Sequence, residues 1–237
     1  MSLVLPAPRT VELPVKGTDD GFPVHRIYCV GRNYVEHAIE MGHSGREAPF
    51  FFMKPADAVL PVAEGETARL AYPSLTKNLH HEVELVVAIG RGGRDIPAAQ
   101  AEDHIWGYAV GLDMTRRDLQ GEAKKTGRPW DMGKGFDHSA PISALIPLAE
   151  AGDLDALDIA LEVNGETRQQ GALADLIWNA SEILHELSKL YALRAGDLVF
   201  MGTPAGVAPL HPGDRFRARL GAIATLEGEV VAAPPAA

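Results

Sequence analysis

Short strand-like runs set the pattern of this chain. Ile27–Val30, Phe50–Met53, 81–89, 105–113, Ile159–Val163 and Leu198–Met201 are apolar or alternating and are bounded by turn residues, so each predicts a strand. Asn164-Gly165 after Ile159–Val163 predicts a hairpin with a type I′ turn. Ser181 to Tyr191 is the clearest helix. Ile183, Leu184, Leu187, Leu190 and Tyr191 form its apolar stripe, and Asn179 with Glu182 forms a capping box. Asn33 reads as the N-cap of a shorter helix, with Glu36 at the capping-box position and an end near Gly42. Gly42 to Pro49 is polar and predicts a mobile lid, and a further short helix follows Pro97.

Residues 115–140 form a long polar excursion carrying Arg116, Arg117, Lys124, Lys125, Arg128 and Lys134. Residues 1–24 read as an irregular arm or short edge strands, 25–231 as a single catalytic domain, and 232–237 as a disordered tail of Ala and Pro. Many short strands with few helices predict an α+β, mostly β architecture rather than a doubly wound sheet. The glycines of Gly90-Arg-Gly-Gly-Arg94 do not fit a dinucleotide fingerprint, because the sixth position is Asp95.

Two acids interrupt the apolar stretch 81–89. Glu82 and Glu84 are two apart, so on a strand they share a face. Like charges on one buried face repel and are costly to desolvate. Glu-x-Glu alone fits an edge strand with a wet face, but a third acid changes the weighting. In 105–113, Trp106, Tyr108, Val110 and Leu112 take one face, and Ile105, Gly107, Ala109, Gly111 and Asp113 take the other. Asp113 thus ends a strand on a face of small residues, which predicts room for a ligand beside it. Three oxygen donors with no cysteine nearby favour a hard cation, Mg²⁺ first, with Mn²⁺ or Ca²⁺ also admitted. His80 and His81 keep zinc open, although neighbours on a strand point opposite ways.

The 237 residues carry a net charge of −10, which argues against nucleic acid as a partner. It does not argue against an anionic small molecule, since local Arg, Lys and a metal can reverse the field within a pocket. No apolar run approaches the ~20 residues of a membrane helix. Pro6, Pro8 and Glu12 break any signal-peptide pattern, and Cys29 is the sole cysteine, so a cytoplasmic protein is expected.

Six motifs in order resemble the fumarylacetoacetate hydrolase family. They are Gly31-Arg-Asn-Tyr34, Lys54-Pro55, His80-His-Glu-x-Glu-Leu85, Leu112-Asp-Met-Thr-x-Arg-Asp118, Val163-Asn-Gly-Glu-x-Arg-Gln169 and Gly202-Thr-Pro-x-Gly206. Within that family, Phe50–Asp57 and Arg128–Lys134 look most like the fumarylpyruvate and acylpyruvate hydrolases. The resemblance implies a mixed β-roll or β-sandwich with short peripheral helices, usually a homodimer, with Mg²⁺ or Mn²⁺ on Glu82, Glu84 and Asp113. It implies hydrolysis of the C3–C4 bond of a 2,4-dioxo acid such as fumarylpyruvate, a step of gentisate-type aromatic catabolism. His37 and Glu40 match the family's general-base pair, and Lys134 a catalytic lysine that adds positive charge near the reacting oxygen. Arg117 and Gln120 match positions near the substrate's polar groups. Gly202 and Thr203 sit at a turn that could receive a carboxylate, and Arg46 in the lid could meet a distal one. The rival reactions on the same site are acylpyruvate hydrolysis, oxaloacetate decarboxylation, and isomerisation or decarboxylation of homoprotocatechuate breakdown products. A non-catalytic keto-acid binder would have no need of His37 and Glu40.

Overall fold

The computed structural model describes residues 3–35 and 46–232. It is mostly β, with short helices. The main sheet has eight strands, in the order Phe51–Lys54, Ile27–Val30, Leu198–Phe200, Val83–Ile89, Ile105–Leu112, Ala140–Ile142 and Val59–Pro61, with Ile146–Pro147 also paired to Ile105–Leu112. A second sheet has five strands, in the order Glu166–Ala172, Asp158–Val163, Arg215–Leu220, Ala224–Val231 and Thr67–Ala71. The alternating face of the second sheet packs onto one face of the first. Val83, Leu85, Val87 and Ile89 meet Leu161, Phe216 and Leu226 in the larger core. Among the described residues no helix is long and apolar enough to cross a membrane.

The other face of Val83–Ile89 builds a smaller core, in which Val86 and Ala88 pack with Ala109, Ile27 and Phe200. The N-terminal arm closes this core. Glu12–Pro14 and Gly21–Pro23 pair antiparallel and bury Leu13 and Phe22, so the short-strand alternative is the one observed. Val83–Ile89 is buried along its whole length in the middle of the sheet, not at an edge. The wet-strand alternative for Glu82 and Glu84 is thereby removed.

Register explains why three acids converge. Val83 pairs with Leu112 and Glu84 with Gly111, and Asp113 N donates to the Glu82 carbonyl at 2.8 Å. Glu82, Glu84 and Asp113 therefore emerge on the small-core face, just where the apolar side chains run out. The space over the glycines on the face of Asp113 is filled by protein, contrary to the expectation from sequence. A Cβ on Gly111 would meet Val86 at 2.8 Å and the Phe200 ring at 2.9 Å, and one on Gly107 would collide with the Ile146 carbonyl. The glycines admit protein, not substrate.

Several expected elements are present. Asn164 and Gly165 both have positive φ, 53° and 81°, as a type I′ turn requires. Helix Ala180–Leu190 carries the Asn179–Glu182 capping box. Phe51–Lys54 is only half-buried, and its one buried residue is Lys54. Residues 115–140 are not irregular: they hold helices Arg117–Thr126 and Asp131–Lys134. The Asn33 side chain also serves the core, while the Glu36 amide it was expected to cap lies outside the described residues. Asn33 is fully buried, donates to the Trp178 and Met201 carbonyls, and accepts from Trp178 N, all at 2.8 Å. Residues 36–45, which hold most of the expected helix and the first part of the lid, and the tail from 233 lie outside the described residues.

Two glycines should respond oppositely to alanine. Gly107→Ala should destabilise by about 1–3 kcal/mol or more, because the obstacle is backbone that cannot step aside. Gly121 lies inside helix Arg117–Thr126, and its added Cβ would meet nothing within 4 Å. Gly121→Ala should stabilise by about 0.5–1 kcal/mol. Denaturant unfolding of both variants checks the pair, and equal effects would refute the packing argument.

Candidate active site

The three carboxylates that the register aligns are all buried, and each offers an oxygen within 4.8 Å of the others. Three cations reach them. Lys134 Nζ donates to Glu82 Oε2 at 2.7 Å and Asp113 Oδ2 at 2.6 Å. Arg117 Nη2 donates to Glu82 Oε1, and Lys54 Nζ lies 2.8 Å from Asp113 Oδ1. Lys54 gives its hydrogen bonds to the Met114 and Lys134 carbonyls instead, so Asp113 Oδ1 is buried without one. Glu84 has no cation among the described residues and accepts from Gly202 N at 2.6 Å.

These surroundings separate the two glutamates. Burial raises the Glu82 pKa, but Lys134 and Arg117 outweigh it and hold the carboxyl well below the usual range. Glu84 is pushed well above that range, first by burial and then by Asp113 and Glu82. For Lys134, burial acts against the charge, yet Asp113 and Glu82 prevail and its pKa rises. A proton on Glu84 relieves the repulsion, and so would a cation.

The donor set fits a hard divalent ion. All three groups are carboxylates, one is pushed toward neutrality by burial and by its like-charged neighbours, and one has a buried oxygen without a hydrogen bond among the described residues. The histidines do not join them, and the zinc alternative loses its basis. His80 Nε2 faces Asn78 Oδ1 at 2.8 Å, and its pKa is pushed down to about 4 by burial and Arg117. His81 Nδ1 faces Gln169 Oε1 at 2.8 Å.

Glu82 and Glu84 lie in the wall of a cavity of about 320 Å³. Arg117, Gln120, Lys134 and Thr203 line it with them, and so do Arg32, Lys124, Phe50, Phe52 and Trp130. Helix Arg117–Thr126 supplies Arg117, Gln120 and Lys124 from one stripe, at spacings of three and four. Arg117 Nη1 donates to Gln120 Oε1 at 2.7 Å. The short helix Asp131–Lys134 packs on it through Gly133, where a Cβ would sit 3.0 Å from Gln120 Cβ. Lys54 and Ser139 both donate to the Lys134 carbonyl, which fixes the base of that lysine.

Three residues expected to touch substrate are used differently. Gly202, at φ 90°, turns its N–H onto Glu84, and a Cβ there would press on Asn33 at 2.8 Å. The Thr203 hydroxyl donates to the Val83 carbonyl and accepts from Gln169 Nε2, each at 2.8 Å. Arg46 leaves the cavity altogether: it pairs with Glu182 and stacks 4.1 Å over the Trp178 ring. Arg116 likewise stacks on Phe136, at 4.4 Å. Residues His37 and Glu40 lie outside the described residues. Reasoning from sequence assigned no role to Arg32, Gln169 or the aromatic wall. Arg32 and Gln169 sit inside motifs already noticed, which was the available signal.

The profile for the fumarylacetoacetate (FAA) hydrolase C-terminal region matches residues 26–231. The chain belongs to the fumarylacetoacetate hydrolase family. Its fold is therefore the family's mixed β-roll, as the resemblance implied. A crystal structure of fumarylpyruvate hydrolase from Pseudomonas aeruginosa, in complex with Mn²⁺ and pyruvate, is 52% identical with a TM-score of 0.95. It covers 98% of this chain and 100% of its own. Oxaloacetate tautomerase from Escherichia coli is 45% identical over 196 residues, 82% of this chain and 88% of the relative. The mitochondrial oxaloacetate tautomerase of Mus musculus is 42% identical over 204 residues, 86% of this chain and 90% of the relative. Family members are thus named for more than one reaction.

Titration with Mn²⁺ tests the carboxylate set. At free Mn²⁺ one hundred times its dissociation constant, linkage should raise the unfolding free energy by about 2.7 kcal/mol. Glu84→Gln and Asp113→Asn should abolish that increment at the same Mn²⁺ concentration. An undiminished increment in both variants would show that the ion binds elsewhere.

Proposed function

We propose that this protein is a metal-dependent hydrolase of 2,4-dioxo acids. It would cleave the C3–C4 bond, with fumarylpyruvate as substrate and fumarate and pyruvate as products. The observation that carries the reading is the convergence of Glu82, Glu84 and Asp113 beside a cavity lined by four cations. Arg32, Arg117, Lys124 and Lys134 make that cavity locally positive in a chain of net charge −10, which suits an anionic substrate. The fumarylpyruvate hydrolase relative, crystallised with Mn²⁺ and pyruvate, supports both the ion and the product class.

In this reading Glu82, Glu84 and Asp113 hold the divalent ion, Mn²⁺ or Mg²⁺. Once bound, the ion supplies Lewis-acid stabilisation to the charge that develops on the 2-oxygen. Arg117, steadied by Gln120, orients the substrate's polar groups. Lys134, kept protonated by two buried carboxylates, adds a fixed positive charge beside the reacting oxygens. Water adds to the 4-carbonyl and its proton passes to His37, with Glu40 orienting the imidazole. The C3–C4 bond then breaks, its electron pair forms the pyruvate enolate, and a proton returns to C3. The homodimer implied by the family belongs to the same reading and is tested by light scattering.

Oxaloacetate tautomerisation is the second reading, favoured by the curated relatives. It moves a proton at C3 without an attacking water and yields no cleavage products. Loss of absorbance on fumarylpyruvate, acetylpyruvate and oxaloacetate, with Mn²⁺ and with EDTA, separates the two. Fumarylpyruvate cleavage should be fastest and should vanish in EDTA. His37→Ala should lower it by about 10²–10⁴-fold. Activity only on oxaloacetate, without cleavage, would replace the first reading with the second.

A further inference from the structure

Of the four cations lining the cavity, two are neutralised where they stand. Arg117 serves Glu82 and Lys134 serves Glu82 and Asp113. The other two are not. Lys124 makes no ion pair among the described residues, and its Nζ rests 4.9 Å above the Trp130 ring. Arg32 lies 5.1 Å over the Phe50 ring, with Glu47 at 3.8 Å as its nearest described anion. That glutamate is itself 58% exposed, whereas Arg32 is only 22% exposed and its Nη1 is buried without a hydrogen-bond partner among the described residues. A buried guanidinium N–H left unpaired is costly unless a ligand takes it.

Position gives these charges a purpose. Lys124 follows Arg117 by seven residues on one helix, roughly 10 Å along its axis. It therefore stands about two turns from the carboxylate cluster that Arg117 touches. Phe50 packs edge-on against Trp130 with ring centroids 5.7 Å apart, so the aromatic strip joins Arg32 to Lys124. Gly31 permits that strip, because a Cβ there would enter the Phe50 ring. The wall is aromatic, and among the described residues only the exposed Glu47 meets the positive charge along it. A planar unsaturated acyl chain ending in a carboxylate has the matching shape and charge.

We propose that Arg32 and Lys124 form a distal anion subsite that selects substrates whose acyl group ends in a second carboxylate. The assignment rests on the dioxo-acid reading above and narrows it to dicarboxylic acids. Phe50 and Trp130 flank the carbon chain between the two anionic ends. Arg46, paired with Glu182, and Arg116 do not line the cavity and take no part.

Steady-state kinetics of the Mn²⁺-loaded protein test this on fumarylpyruvate, which has a distal carboxylate, and acetylpyruvate, which has none. In Arg32→Gln and in Lys124→Gln the ratio of kcat/KM, fumarylpyruvate over acetylpyruvate, should fall about tenfold or more, mainly through KM. Lys124 is exposed on a helix, so its variant remains informative if Arg32→Gln fails to fold. An unchanged ratio in a folded variant overturns the subsite. Failure of the reaction itself shows differently, as wild-type protein that cleaves neither substrate. Fumarate and its monoacid analogue crotonate, titrated calorimetrically into the same proteins, then decide the subsite. Tighter binding of fumarate that is lost in Lys124→Gln supports it, and equal affinities overturn it.

Discussion

Everything at this site follows from forcing three carboxylates onto one end of a buried sheet face. Burial alone would leave them uncharged. Lys134 and Arg117 keep Glu82 ionised, and Lys54 stands beside Asp113, but among the described residues Glu84 has only the Gly202 amide and is pushed toward its neutral form. The cluster is thus balanced unevenly, and the imbalance is what makes it receptive to a hard cation. Removing one partner of such a buried pair costs about 3–5 kcal/mol, so the cations belong to the fold as much as to the chemistry.

The parts of the fold that were legible in the sequence are those where one local signal dominates. The Asn164-Gly165 turn needs two positive φ values, and few residue pairs accept them. The capping box on Ala180–Leu190 is satisfied within four residues. Helix Arg117–Thr126 was not legible because its cavity-facing stripe is Arg117, Gln120 and Lys124, so the apolar periodicity that announces a helix is missing. The contacts of the Asn33 amide with Trp178 and Met201 were not legible, because those partners lie more than a hundred residues on. Glu82, Glu84 and Asp113 could be picked out because charge inside apolar strands is costly. The purpose of Gly107 and Gly111 was not legible, because Val86, Phe200 and the Ile146 backbone fill the space over them from distant parts of the sheet.

One cluster of carboxylates suits either reading of the reaction. Both reactions place negative charge on the oxygen at C2 of a keto acid, and both gain from a cation there. The two reactions differ in whether water is activated and in what the far wall must accept. The aromatic strip of Phe50, Phe52 and Trp130 is carried by a half-buried edge strand and a loop, the elements that vary most easily while the central strands stay fixed.

The hydrogen bond from Gly202 to Glu84 spans 118 residues of chain. It exists only because Leu198–Phe200 inserts in parallel beside Ile27–Val30 and antiparallel beside Val83–Ile89. Strand pairings between such distant segments carry a loop-closure cost before any contact returns it. A nascent chain emerging from the ribosome has all three carboxylates long before it has the strand that completes their surroundings. The full surroundings of the acidic cluster therefore need the C-terminal strand, and an N-terminal fragment carrying all three acids would still lack the Gly202 amide.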